Sequence, residues 1–234
     1  MLIPIDDDRP SDSPFVKLIW RTHSERGSDF TSIAMSDWEM VITRLQGQTF
    51  LSVRGPETRP TLWQCPAEGE WLGIRFNPGT FMPQLPPSAL VDGFLTLPNA
   101  SETSFRLDGA SWNFPDFENA DFFVHRLVRE GLLVREPVVD AAVSGQLRDV
   151  SNRTARRHFV RTTGLTPRTA AQIERARHAA TLLSRGTSIP DAVYEAGYFD
   201  QPHLTRSLKR YIDRTPAQLA NGHGLPLSYL YKTP

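Results

Sequence analysis

Residues 151–167, SNRTARRHFVRTTGLTP, and residues 200–216, DQPHLTRSLKRYIDRTP, align at a constant offset of 49. Arg157 falls on Arg206, Arg161 on Arg210, and Thr166-Pro167 on Thr215-Pro216. Ala155 matches Leu204 and Phe159 matches Leu208, an i, i+4 spacing that places apolar residues on one helical face. Two copies make a pair of similar modules and not a solenoid. The C-terminal half is therefore expected to hold two equivalent helical units.

Each unit has a start signal, because the side chains of Ser151 and Asp200 can accept from the orphaned amides of a first helical turn. In the second unit Ile189-Pro190 opens a preceding short helix, Ala192, Val193 and Ala196 supply small apolar contacts, and Gly197 permits a left-handed turn. Helix, glycine-containing turn and capped helix make the helix-turn-helix plan, whose second helix enters the major groove of DNA. The first unit departs from it, with Arg148 where the second has Gly197. Arg168 to Arg185 contains no proline and predicts one continuous connector helix ended by Gly186. Such a connector would hold two recognition helices for successive major grooves, about 34 Å apart.

The outward side chains on these helices have the chemistry to read bases. Asn152, Arg153, Arg156 and Arg157 in one, and Gln201, Thr205 and Arg206 in the other, match guanine, adenine or thymine edges. Thr154, Arg161, Lys209 and Arg210 are better placed for phosphates. The alternative for any single helical arginine is a solvated surface residue.

Charge supports a division of labour. Lys plus Arg equals Asp plus Glu at 26 each, yet residues 1–133 hold 11 basic and 18 acidic residues, whereas residues 134–220 hold 14 and 8. A neutral chain made of an acidic and a basic half suggests nucleic-acid contact by one half only.

The N-terminal half predicts strands. Trp38 to Leu45, a Gln46-Gly47-Gln48 turn and Thr49 to Val53 have the pattern of a hairpin, and Trp71 to Phe76 forms a further run ending at Asn77-Pro78-Gly79. Prolines 60, 66, 78, 83, 86, 87 and 98 disfavour long helices between residues 56 and 98. The expected form is a small antiparallel barrel or sandwich. Trp20, Trp38, Trp63 and Trp71 are expected mainly in its core, with a pocket lining as the alternative. Phe122, Phe123, Leu127, Val128, Leu132 and Leu133 predict an amphipathic helix between Asn119 and Val134.

Catalytic classes find little support. His23 and His125 are too far apart in sequence to suggest a metal-binding barrel, and no nucleophile elbow, phosphate-cradling glycine loop or HExxH helix is present. No catalytic residue, metal ligand or cofactor is therefore assigned. Cys65 stands alone, which excludes an intramolecular disulfide and fits a reducing compartment, and it is expected to be a core thiol. No apolar stretch approaches the roughly 20 residues of a membrane span, and Asp6, Asp7, Asp8 and Asp12 lie where a secretion signal would be basic and then apolar. A soluble, cytoplasmic protein without membrane contact is expected.

Residues 176–219, ARHAATLLSRGTSIPDAVYEAGYFDQPHLTRSLKRYIDRTPAQL, closely resemble the AraC/XylS family of bacterial transcription regulators, with Arg-Ala before a Leu-Leu pair, Gly-aromatic, Leu-Thr-Arg, Lys-Arg and Thr-Pro. With the first unit the resemblance covers about residues 137–220. GIRFNPGTF at 73–81 and the stretch from DGASW to GLLVREPVV are similar, less specifically, to N-terminal regions of some members. The resemblance implies an α+β two-domain chain: an N-terminal cupin-like antiparallel β barrel or sandwich, and a C-terminal all-α domain with two helix-turn-helix units joined by a connector helix. The expected divisions are 1–118 for the sensing or dimerising β region, 119–136 for a connecting helix, 137–221 for the DNA-binding domain and 222–234 for a tail. It puts Asn152, Arg153, Arg156, Arg157, Gln201, Pro202, Thr205 and Arg206 at DNA-facing positions, where Pro202 can offer only apolar contact. Candidate partners are double-stranded promoter DNA, a small-molecule effector in the N-terminal domain, RNA polymerase and a second copy of the chain. The competing expectations are a protein-interaction adaptor that keeps the fold without binding DNA, and a barrel-domain enzyme.

Overall fold

The computed structural model describes residues 6–143, 151–224 and 227. In chain order its strands are β1 (Asp7–Arg9), β2 (Val16–Ser24), β3 (Ser28–Ser32), β4 (Glu39–Leu45), β5 (Gln48–Arg54), β6 (Thr61–Cys65), β7 (Gly69–Phe76), β8 (Thr80–Phe81), β9 (Phe94–Thr96), β10 (Asn99–Ser101), β11 (Ser104–Leu107), β12 (Ala110–Asn113) and β13 (Val134–Arg135). The helices are α1 (Ala120–Arg129), α2 (Pro137–Val143), α3 (Asn152–Thr163), α4 (Pro167–Ser184), α5 (Ile189–Glu195), α6 (Gln201–Tyr211) and α7 (Pro216–Ala220). The chain is a two-domain α+β protein, its strands antiparallel within each sheet and its last helices grouped in the basic half.

The main sheet runs β1-β2-β7-β4-β5-β9. Glu39 to Thr43 of β4 is buried at every position, because β4 lies between β7 and β5 and both its faces are covered. One face carries Met40, Ile42, Leu51 and Ile74 into a core shared with Phe105, Leu107 and Trp112 of the β10-β11-β12 sheet and with Phe123, Val124 and Leu127 of α1. On the other face Gly73 lies beneath the Trp20 indole, so close that a β-carbon would overlap the ring. The β3-β6 ribbon meets the sheet at Trp63, whose ring contacts Phe94 and is capped by the Arg54 guanidinium. Of Trp20, Trp38, Trp63 and Trp71, Trp38 alone lies in the core, stacked on Phe76 with ring centroids 4.1 Å apart and its Nε1 donating to the Thr80 carbonyl. Cys65 is half-buried at the end of β6 and belongs to neither core cluster.

The amphipathic helix is shorter than its apolar spacing predicts. α1 ends at Arg129, Gly131 takes φ +71°, and Leu132 and Leu133 drop into the β-domain core before β13 pairs with β8. The left-handed turn reverses the chain within a few residues, so the span 119–136 is a helix followed by a strand and belongs with the β domain by its packing.

A second core lies among the helices, and it includes two residues from the β domain. Ile33 and Ala34 are buried with Phe159, Ile173, Ala176, Ala180, Leu204, Leu208 and Tyr211. The Ala34 amide donates to the Tyr211 carbonyl at 2.9 Å, Arg177 donates to the Ala34 carbonyl at 2.9 Å, and Ser36 donates to Glu174 at 2.6 Å. The loop after β3 thus joins the acidic half to both the connector and the second helical unit.

Candidate nucleic-acid interface

The local chemistry of α3 follows its sequence. Ser151 caps it by accepting from the Thr154 amide at 3.2 Å, and Gly164 ends it with φ +75°. Ala155, Phe159, Thr162 and Thr163 are buried, with both threonine hydroxyls donating to backbone carbonyls. The opposite face presents Arg153, Arg156 and Arg157 to solvent, and these surround an open depression with Thr154, Val160 and Arg161. At 100° per residue Arg157 stands opposite the buried row. Asn152 begins the helix, and its side chain lies outside the described residues. Arg148 and the turn of the first unit also lie outside them.

In the second unit every step of helix, turn and helix is visible. Ser188 caps α5 through the Asp191 amide, Gly197 takes φ +68°, and Asp200 caps α6 by accepting from the His203 amide at 2.7 Å. Tyr198 is buried in the turn, its hydroxyl 2.8 Å from Ser207 and its ring edge-on to His203. Burial pushes the Tyr198 hydroxyl above its ordinary titration range, so it stays neutral and available for that hydrogen bond. Leu204, Leu208 and Tyr211 face inward, while Gln201, Pro202, Arg206, Lys209 and Arg210 are exposed on the outer side. Thr205 is half-buried and donates back to the Gln201 carbonyl at 2.9 Å. Arg206 stands opposite the buried row, the place that Arg157 holds on α3.

The connector fixes these faces relative to each other. α4 is capped by Thr166 and runs for 18 residues, about 27 Å at the α-helical rise. Its small buried residues Ala176, Ala179 and Ala180 permit close approach of the neighbouring helices. Arg175 lies 4.9 Å over the Tyr198 ring and donates to the Gly197 carbonyl, and Gln172 accepts from the Tyr211 hydroxyl at 3.1 Å. α4 is therefore attached to the turn before α6 and to the end of α6.

Arg161 is engaged elsewhere. Its guanidinium donates to Glu136 at 2.9 Å, and His158 Nδ1 lies 2.8 Å from the same carboxylate oxygen. Burial alone would raise the Glu136 carboxyl, but His158 and Arg161 outweigh it and hold the group below its ordinary value. Three residues absent from the sequence-based set also belong to this surface: Val160, exposed among the α3 arginines, and Tyr194 and Phe199 beside the Gly197 turn. The repeat held a clue to Val160, which aligns with Lys209. Among the described residues no cluster of three His, Cys, Asp or Glu could hold a metal, and no helix is long and apolar enough to cross a membrane.

Residues 148–222 match the family model of a helix-turn-helix domain. This is an AraC-type DNA-binding domain. The match covers the capped helices α3 and α6 and the connector between them, about a third of the chain, and it indicates a DNA-binding transcription regulator. No curated protein and no solved structure matches the chain.

Proposed function

We propose that α3 and α6 enter successive major grooves of promoter DNA, with Arg157 and Arg206 as the central base-reading residues and the β domain modulating how firmly the two helices are held. The observation that carries this reading is the equivalence of the two arginines: each is exposed and stands opposite the buried row of its own capped helix. Arginine at such a position can donate two hydrogen bonds to guanine. Arg153, Arg156, Gln201 and Thr205 flank them as further base contacts, and Lys209 and Arg210 face phosphates. Arg157→Ala and Arg206→Ala are each expected to weaken binding to a selected site by about 1–3 kcal/mol and to relax base preference at one position. Fluorescence anisotropy on selected and scrambled duplexes checks this, and equal losses on both would contradict base reading.

Effector response fits the junction at Ala34. The β3-β6 ribbon lies against the tryptophan-bearing face of the main sheet and continues into the loop that bonds α4 and α6. A small molecule whose binding displaced that ribbon would act on α4 and α6 through this loop. Cytoplasmic location, contact with RNA polymerase and pairing with a second copy accompany this reading. If the purified protein showed no salt-dependent DNA affinity, the adaptor alternative would replace it.

A further inference from the structure

The second recognition helix begins with an apolar end that its arginine does not explain. Phe199 is 92% exposed and Tyr194 is 86% exposed, the highest values among the large hydrophobic side chains of the described residues. Phe199 directly precedes the cap residue Asp200, and Pro202 is exposed in the first turn of α6. Pro202 and Arg206 lie four residues apart on the outer face of α6, and Phe199 stands just before the cap, outside the helix, at the end that a recognition helix inserts into the groove. Neither Phe199 nor the Pro202 side chain can hydrogen-bond to a base. Leaving a phenyl ring in water is unfavourable, so one displayed at the N-terminal end of a helix whose outer face carries Arg206 suits a polyanion with an apolar feature. A protein-docking patch would instead be depleted of charge at its centre. The floor of the major groove offers one such feature, the C5-methyl group of thymine.

We infer that Phe199 and Pro202 form a thymine-methyl contact, so that the second unit reads one or more A·T pairs through their methyl groups next to the guanine read by Arg206. This rests on the DNA-binding reading above and adds a specificity determinant to it. Phe199 is almost wholly exposed, so Phe199→Ala leaves the folded core intact.

The test uses the full chain and a duplex recovered by selection from a random library. Each thymine is replaced in turn by deoxyuridine, which keeps the Watson–Crick edge and removes only the methyl. The wild type is expected to lose about fourfold in affinity per methyl contacted, at one or two positions adjoining the Arg206-dependent guanine. The Phe199→Ala protein is expected to bind the thymine and deoxyuridine duplexes equally at the position Phe199 touches. Sequence-specific binding that is indifferent to deoxyuridine at every position, or discrimination unchanged in Phe199→Ala, overturns the inference and leaves the regulator reading standing. Absence of salt-dependent binding to any duplex overturns both.

Discussion

Arg157, Arg206 and Lys209 are all exposed on α3 and α6, and under the proposed reading their positions give them different work. The two arginines stand opposite the buried rows, whereas Lys209 and Arg210 lie on either side of Arg206, toward the two flanks of α6. Lys209→Ala is therefore expected to weaken binding to all duplexes alike and to reduce the salt dependence by about one phosphate contact, measured as the slope of log affinity against log salt. Arg161 follows a third pattern because Glu136 already holds it. Glu136→Gln should free that guanidinium and raise affinity for random DNA, whereas Arg161→Ala should change wild-type affinity less than Lys209→Ala does. The same carboxyl has a pH signature. Its folded-state pKa is lowered, so its contribution to stability is present above the ordinary carboxylate value and is lost as pH falls through the folded value. The wild type should lose more stability than Glu136→Gln across that acid range, and parallel acid-denaturation curves would contradict the assignment. Arg157 and Arg206 were legible from the offset alignment. Glu136 was not, because the residues that hold it lie 22 and 25 positions further along, and no local spacing links them.

At the scale of elements, two left-handed glycines separate local geometry from domain packing. Gly197 and Gly164 both have positive φ, at +68° and +75°. An added β-carbon at Gly197 meets nothing within 4 Å, whereas at Gly164 it would fall 2.4 Å from Val91 and 2.8 Å from the Ser88 backbone. Gly197→Ala should therefore cost only the backbone penalty, about 1–2 kcal/mol. Gly164→Ala should cost more and loosen α3 from the β domain, giving the larger fall in thermal midpoint and greater protease sensitivity near residue 88. Equal midpoints for the two variants would contradict the close seating of α3. The caps at Ser151 and Asp200 and the β4-β5 hairpin are set by near neighbours, and the sequence displays them openly. The end of α1 was missed because its apolar spacing continues to Leu133, while Gly131 reverses the chain first.

Across the whole molecule, the acidic β half and the basic helical half share a core at Ile33 and Ala34. That seam was invisible in the sequence, since a short apolar pair after a strand looks the same whether it packs on its own sheet or on a distant helix. The charge division and the repeat, by contrast, needed no long-range information. The seam ties the β domain to α4 and α6 together, and α4 spans the two recognition helices, so their separation is a property of the folded chain. Two helices held at a fixed separation are expected to read DNA as one unit. This is tested most directly by selecting duplexes from a randomised library with the purified full chain at near-physiological salt. The expected result is an enriched motif of two elements with centres about 10–10.5 base pairs apart, both lost when the spacing is changed by half a turn. Enrichment of a single element indifferent to spacing, or no enrichment at all, would contradict it.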